Sequence, residues 1–287
     1  MRVSKAKGLE EESQREIAKL QVSKTIVAGE GMAGRSTGAS RKVSPESVAE
    51  DPIAQKRTRF DADPANMDAA LDLADVLERE VTPEEAEKVL AKALEASGND
   101  LKIREHLEDR QMRWARQRVM VAERRAQAED TDKNRDTLAR LREALLRLEV
   151  ETYAARVSRY PENLSCKYEL AVRLKSLGNY SEAIRHFQDV LQDSRRKGVV
   201  SLELGECFQK IKQYHLAMRN FTTAVEVLTD RDMELRKRAL YRAGVLAGGM
   251  EDIDASLKYL STLAGLDFGY KDVAQRLDKL NSIRDKQ

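Results

Sequence analysis

Between Val27 and Gly38 the chain reads VAGEGMAGRSTG, and these residues come nearest to a known chemistry. Gly29, Gly31 and Gly34 spell G-x-G-x-x-G, a spacing that lets backbone amides approach a dinucleotide pyrophosphate. Gly29, Gly34, Arg35 and Ser36 nearly spell G-x-x-x-x-G-K-[ST], the loop that cradles nucleoside phosphates. Either match would make the chain a nucleotide-dependent protein.

Both patterns need elements around them. A dinucleotide loop joins a strand to a helix whose N-terminus meets the phosphates. Thr25–Ala28 passes for a short strand, but STGASRKVSPESVAEDP follows, with Ser44-Pro45, Asp51-Pro52 and no apolar periodicity. It cannot open a buried helix, and no second strand follows to build a parallel sheet. Arg35 stands where the phosphate-binding lysine belongs, and no apolar run ending in Asp is present to hold magnesium. The stretch therefore reads as a flexible Gly/Ser segment or short linear motif, with nucleotide binding as a lesser alternative and no cofactor expected.

Composition points the same way. Of 287 residues, 35% are charged and only 5% aromatic, which suits stacked helical layers with wet outer faces better than one thick core. A formal charge of +2 does not imply wholesale binding to nucleic acid. Cys166 and Cys207 lie in helical patterns without partners at metal or disulfide spacing, so both read as small core residues, favouring a reducing compartment. His106, His186 and His215 are scattered, no metal site is expected, and no catalytic constellation is discernible. No apolar run reaches the ~20 residues of a membrane span, and the N-terminus lacks the apolar segment of a secretory signal. The expectation is a cytoplasmic protein with no membrane partner.

Residues 1–60 are expected to be a disordered tail, although Leu9, Ile17 and Leu20 would support a short helix. After Asp63 apolar residues recur at three and four, and Pro64, Pro83 and Pro161 fall where helices begin. Within this helical text a period appears. Leu170 meets Leu204, Tyr180 meets Tyr214, Ala183 meets Ala217 and Phe187 meets Phe221, each offset by 34 residues. At the same offset Ala171 meets Gly205, Leu174 meets Phe208 and Val190 meets Ala224. Small residues at 171 and 183 let two helices approach, the tyrosine wedges at the turn, and Gly178 ends the first helix with a left-handed cap. A hairpin of this size cannot bury its apolar face alone, so neighbours must stack.

YELAVRLKSLGNYSEAIRHFQDV and LELGECFQKIKQYHLAMRNFTTA resemble the tetratricopeptide repeat. Two departures stand out: Lys167 and Ser201 replace the family's tryptophan, and Lys212 replaces the turn glycine. Residues 61–100 read as a divergent copy, with Leu73, Ala74 and Leu77, then Ala86, Leu90 and Ala93. Thr82-Pro83-Glu84-Glu85 supplies its N-cap, first-turn proline and capping-box glutamate. A degenerate copy follows the strong pair, in one of two registers: Leu240, Gly244, Met250, Ile253 and Leu257 at an offset of 36, or one using Ala255 and Tyr259. Gly248-Gly249 marks the turn in both. Residues 161–266 thus form the array, and 267–287, with Val273, Ala274, Leu277, Leu280 and Ile283, a capping helix.

Residues 101–160 read as two long antiparallel helices of about 28 and 26 residues, packed as a coiled-coil-like arm that projects from the array. Ile103, Leu107, Trp114 and Val121 form one stripe; Leu138, Leu141, Leu145, Leu148, Thr152 and Ala155 form the other. The expected fold class is an all-α, right-handed α-solenoid carrying this inserted hairpin.

The resemblance implies a non-enzymatic scaffold that binds a protein or peptide on the concave face of its first helices. Tyr168, Glu169, Val172, Lys175, Leu202, Glu203, Glu206, Gln209, Arg238 and Arg242 are the candidate lining. Family members that hold a C-terminal carboxylate use a lysine-asparagine-asparagine-lysine-arginine clamp, whose places in the strong pair are taken by Tyr168, Val172 and Glu203. Acidic groups at 169, 203 and 206 instead favour a ligand carrying Lys or Arg. The alternative partner is RNA or a ribosome, through Arg113, Arg116, Arg118, Arg124 and Arg125 with Trp114 as a stacking ring; the plainer reading of Trp114 is inter-helix packing.

Overall fold

Helices in this chain start and stop where short-range chemistry dictates. Asn66, Thr82 and Asn163 each accept a backbone N–H from the first turn that follows, and Pro83 needs no N–H there. At the other end, Asn179 N–H reaches back to the Leu174 carbonyl at 2.9 Å and Gln213 N–H to Phe208 at 2.9 Å. This closure requires a left-handed residue just before it. Gly178 adopts it at φ 90°, and Lys212, 34 residues on, adopts it at φ 61° without being glycine.

The computed structural model describes residues 52–285, all within the unit formed by residues 51–287. The described elements are α1 (Pro52–Ala62), α2 (Met67–Glu80), α3 (Pro83–Ala96), α4 (Leu101–Ala128), α5 (Asp132–Arg159), α6 (Leu164–Leu177), α7 (Tyr180–Val190), α8 (Lys197–Lys210), α9 (Tyr214–Val227), a 3₁₀ turn (Asp230–Asp232), α10 (Met233–Gly249), α11 (Ile253–Leu266) and α12 (Val273–Arg284). Among the described residues there is no strand. Each helix packs against the next in sequence, so hairpins α2–α3, α4–α5, α6–α7, α8–α9 and α10–α11 follow one another, with α1 and α12 at the ends. The glycine stretch and the short helix around Leu9, Ile17 and Leu20 lie outside the described residues.

The repeat spacing becomes packing. Leu170, Ala171, Leu174, Ala183, Phe187 and Val190 form one core with Leu204 and Cys207. Ala217, Phe221 and Ala224 form the next, with Phe208 against them. Gly205 explains itself: a Cβ there would lie 2.4 Å from the Phe221 ring. Leu73, Ala74, Leu77, Ala86, Leu90 and Ala93 make the equivalent core of the first hairpin.

Several expectations need correction. The tail does not extend to residue 60: α1 covers Pro52–Ala62, and Phe60, 2% exposed, closes the first hairpin's core together with Ile53. Two apolar residues among lysines and arginines leave almost no periodic signal, and ion pairs of Lys56 and Arg59 with Asp72 and of Asp61 with Lys92 add to the docking. Tyr214 is 44% exposed and wedges nothing, whereas Tyr180 packs on its core. Glu85 does not close a capping box; its carboxylate accepts from Lys88 Nζ at 2.8 Å.

The degenerate repeat follows neither proposed register. Gly248-Gly249 sits in the last turn of α10, and the left-handed turn residue is Glu251, φ 65°. From Lys212 to Glu251 the offset is 39 residues. At that offset Gly244 takes the place of Gly205, Ser256 that of Ala217 and Leu260 that of Phe221. A Cβ on Gly244 would meet Leu260 at 2.7 Å, and Ser256 Oγ donates to the Gly244 carbonyl at 2.8 Å. The close crossing survives with different residues.

The two long helices pack on each other but are differently sided from the expectation. α4 and α5 have 28 residues each, about 42 Å, against 14 residues and about 21 Å for α3 and α6. Ile103 and Leu107 do not face α5; they complete the core of the first hairpin. Trp114 continues that stripe, sharing a shallow depression with Pro83 and Ala86 of α3. Met112, Val119 and Ala122 are the other buried residues of α4. On α5, Thr152 is buried, Leu138, Leu141, Leu145 and Leu148 of the expected stripe are half-buried and Ala155 is exposed. Among the described residues no helix is long and apolar enough to cross a membrane.

Candidate binding face on the first helices

Because equivalent helices recur, α6, α8 and α10 present matching positions to one side. Tyr168, Leu202 and Tyr241 correspond at offsets of 34 and then 39, as do Glu169, Glu203 and Arg242.

What gathers there is an ion-pair network. Lys175 Nζ donates to Glu203 at 2.5 Å and also to Glu206. From the next repeat, Arg238 Nε donates to Glu206 Oε1 at 2.8 Å, with Glu203 at 3.4 Å, and Arg242 Nε reaches the same Glu206 oxygen at 3.2 Å. The Glu206 side chain is only 8% exposed. Burial opposes its ionisation, but hydrogen bonds from Arg238 and Lys175 prevail and hold its carboxyl at about 2. Buried carboxylates are tolerated here because cations from both flanking repeats satisfy them. Cys207, behind them, is fully buried, and burial pushes its thiol up to about 12. Cys166 is only half-buried.

This arrangement bears on the expected ligand charge. Glu203 and Glu206 are neutralised from within, so they do not call for a basic ligand. Glu169 is engaged by Arg173, which also donates to Glu149 at 3.1 Å; Arg116 holds the other Glu149 oxygen at 2.8 Å, tying α6 to α5 and α4. Leu202 is 0% exposed, in the core with Ala217 and Phe221, and lines no open surface. Tyr168 packs edge-on against Phe187 at 6.1 Å under the Arg196 guanidinium, and Val172 rests on the same core. Gln209 and Arg238 are half-buried, and the Arg242 side chain is 42% exposed. The structure thus brings together Lys175, Glu203, Glu206, Arg238 and Arg242, leaves Tyr168, Val172, Gln209 and the half-buried Glu169 on the same helices, and withdraws Leu202.

The basic segment of the arm is partly engaged by internal partners as well. Arg113 pairs with Glu78 at 3.4 Å and Arg116 with Glu149, Arg118 lies 5.6 Å from the Trp114 ring, and Arg124 contacts Met120 sulfur at 3.8 Å. Arg125 is engaged too.

Sequence reasoning missed a group at the far edge of this face: Tyr241, Tyr270, Lys271, Asp272 and Arg276. The 39-residue offset was the missing signal, since it alone puts Tyr241 in the row of Tyr168 and Leu202. Among the described residues no group of three or more His, Cys, Asp or Glu side chains is placed to hold a metal.

No family model and no curated protein sequence matches this chain. Solved structures do match. YrrB, described as a TPR protein with an unusual peptide-binding site, is 14% identical over 79% of this chain and 99% of its own, with a TM-score of 0.50. PilF of Pseudomonas aeruginosa is 19% identical over 79% of this chain and 87% of its own, TM-score 0.41. MamA of Desulfovibrio magneticus RS-1 is 14% identical over 73% of this chain and 98% of its own, TM-score 0.42. The fold is a tetratricopeptide-like helical repeat.

Proposed function

We propose that this chain is a non-enzymatic scaffold that holds a polypeptide segment of a partner protein along the concave face of α6, α8 and α10. The observation that carries the reading is the row of equivalent positions from three successive hairpins, which turns short helices into one extended surface. Tyr168, Val172, Gln209, Arg238 and Arg242 retain the exposed area on it. An extended segment contacts such a row by one side chain per repeat, so modest contacts add along its length. The peptide-binding site named for YrrB lies on the same kind of fold and supports this use of it. Arg113 and Arg116 of the arm are paired with carboxylates, which favours the protein partner over RNA.

Site-specific photo-crosslinking in the source cell tests the reading. A photoreactive residue at Gln209 is expected to capture a discrete polypeptide, and one at Lys258, exposed on α11, is not. Capture at 258 but not at 209, or capture of RNA at 209, contradicts the proposal.

A further inference from the structure

The loop before α12 adds a second set of groups to the edge of this face. The Tyr241 and Tyr270 rings meet edge to face at 5.7 Å. The Lys271 ammonium lies 4.5 Å from the centre of the first ring and 5.3 Å from the second. It is exposed and has no ion pair among the described residues, and its backbone is left-handed at φ 51°. Tyr241 donates its hydroxyl to Asp272 Oδ1 at 2.8 Å, and Arg276 holds the same oxygen at 2.9 Å. Tyr270 lies within electrostatic range of Glu234 first, then of Arg238, Arg242 and Lys237, so the two sets adjoin.

The charges are layered. Glu203 and Glu206 are at the bottom, covered by Lys175 and Arg238. Asp272 is taken by Tyr241 and Arg276, and at the rim Lys237 is shared between Glu234, at 2.9 Å, and Asp267, at 3.1 Å, with the Glu234 side chain 80% exposed. Toward solvent stand Lys271 and Arg242. Arg242 spends only Nε on Glu206, and its two terminal nitrogens have no hydrogen-bond partner among the described residues. A guanidinium with a free edge and an ammonium with none of its donors committed to a carboxylate are unspent anion-binding capacity.

We infer that Arg242, Tyr241, Tyr270 and Lys271 form the part of the face that receives carboxylate side chains of the partner, whose docking segment is therefore acidic. The inference rests on the scaffold reading and adds the chemistry of the partner. An incoming Glu or Asp gains the free edge of Arg242 and the Lys271 ammonium without displacing any internal pair. A basic segment meets the Lys271 ammonium and the open edge of Arg242 and is disfavoured. The tyrosine pair supplies flat apolar area beside the charges, which lowers the local dielectric and strengthens them.

The test uses the full chain and three fluorescein-labelled twelve-residue peptides, alternating leucine with glutamate, lysine or glutamine, read by anisotropy at moderate salt. The glutamate peptide is expected to bind most tightly. The Arg242→Gln, Lys271→Glu double variant should weaken it by about tenfold or more. Lys258→Glu should leave it unchanged. Circular dichroism confirms folding; should the double variant unfold, Lys271→Glu alone decides, because Lys271 anchors no ion pair. Equal binding of the three peptides, or glutamate binding that the Lys271 variant leaves untouched, overturns the inference. If crosslinking at Gln209 persists while the peptides show no charge preference, the scaffold reading stands and this one falls.

Discussion

At the scale of single residues, the same backbone requirement is met by unequal side chains. Gly178 and Lys212 both close a helix in the left-handed region, where a Cβ costs roughly 1 kcal/mol. Lys212→Gly should therefore stabilise the chain by a few tenths to about 1 kcal/mol in urea unfolding, the gain reduced by the greater freedom of glycine in the unfolded state. Gly205→Ala should do the reverse, costing about 1–3 kcal/mol, because the added methyl enters the space of the Phe221 ring. Glu206 predicts a pH dependence. Its carboxyl is depressed from 4.5 to about 2, so its contribution is complete above the unfolded value and is lost as pH falls from about 4.5 toward 2. That contribution is roughly 3 kcal/mol before allowance for coupling to its partners. Glu206→Gln should flatten the stability curve across that window, and a variant that keeps the parent's acid transition refutes the role of the network.

At the scale of elements, the flanking charges of the arm divide into those that build and those that decorate. Glu149, 11% exposed at the side chain, is shared by Arg116 of α4 and Arg173 of α6, so Glu149→Ala should cost about 2 kcal/mol in urea unfolding. Arg140→Ala breaks only an exposed pair with Asp136 and should cost less than about 0.5 kcal/mol. Equal costs would mean that the arm is not held to the array through Glu149. Which elements were readable in advance follows the same physics. The hairpins were legible because close crossings demand Ala or Gly opposite Phe at a fixed spacing. α1 was not, since Phe60 and Ile53 are its apolar anchors and ion pairs of Lys56, Arg59 and Asp61, which leave no periodic signal, add to its docking. The facing of α4 was misjudged because Ile103, Leu107 and Trp114 make a continuous stripe that serves the preceding hairpin. The last repeat was misaligned because its longer first helix and Glu251 turn replace the glycine signal. The candidate face was half legible: position on the first helices follows from the period, but which carboxylates are silenced depends on cations arriving from other repeats.

At the scale of the whole molecule, the described helices form a chain of neighbour contacts rather than one central core. α8 is the most enclosed, with Val200 through Cys207 all buried between α7, α9 and α10. α12 closes the other end by placing Val273 and Leu280 on the apolar side of Leu260 and Leu263. In such an array each hairpin borrows its stability from those beside it, so damage should spread by adjacency. Hydrogen exchange on a chain ending at Asp267, compared with the full chain, puts this to the test most directly. Loss of α12 should strip protection from α11 and α10 first, reach α8 and α9 less, and leave α2 and α3 as they were. Uniform loss across all helices, or unchanged protection in α10 and α11, would contradict a neighbour-stacked array and with it the extended face on which the scaffold reading depends.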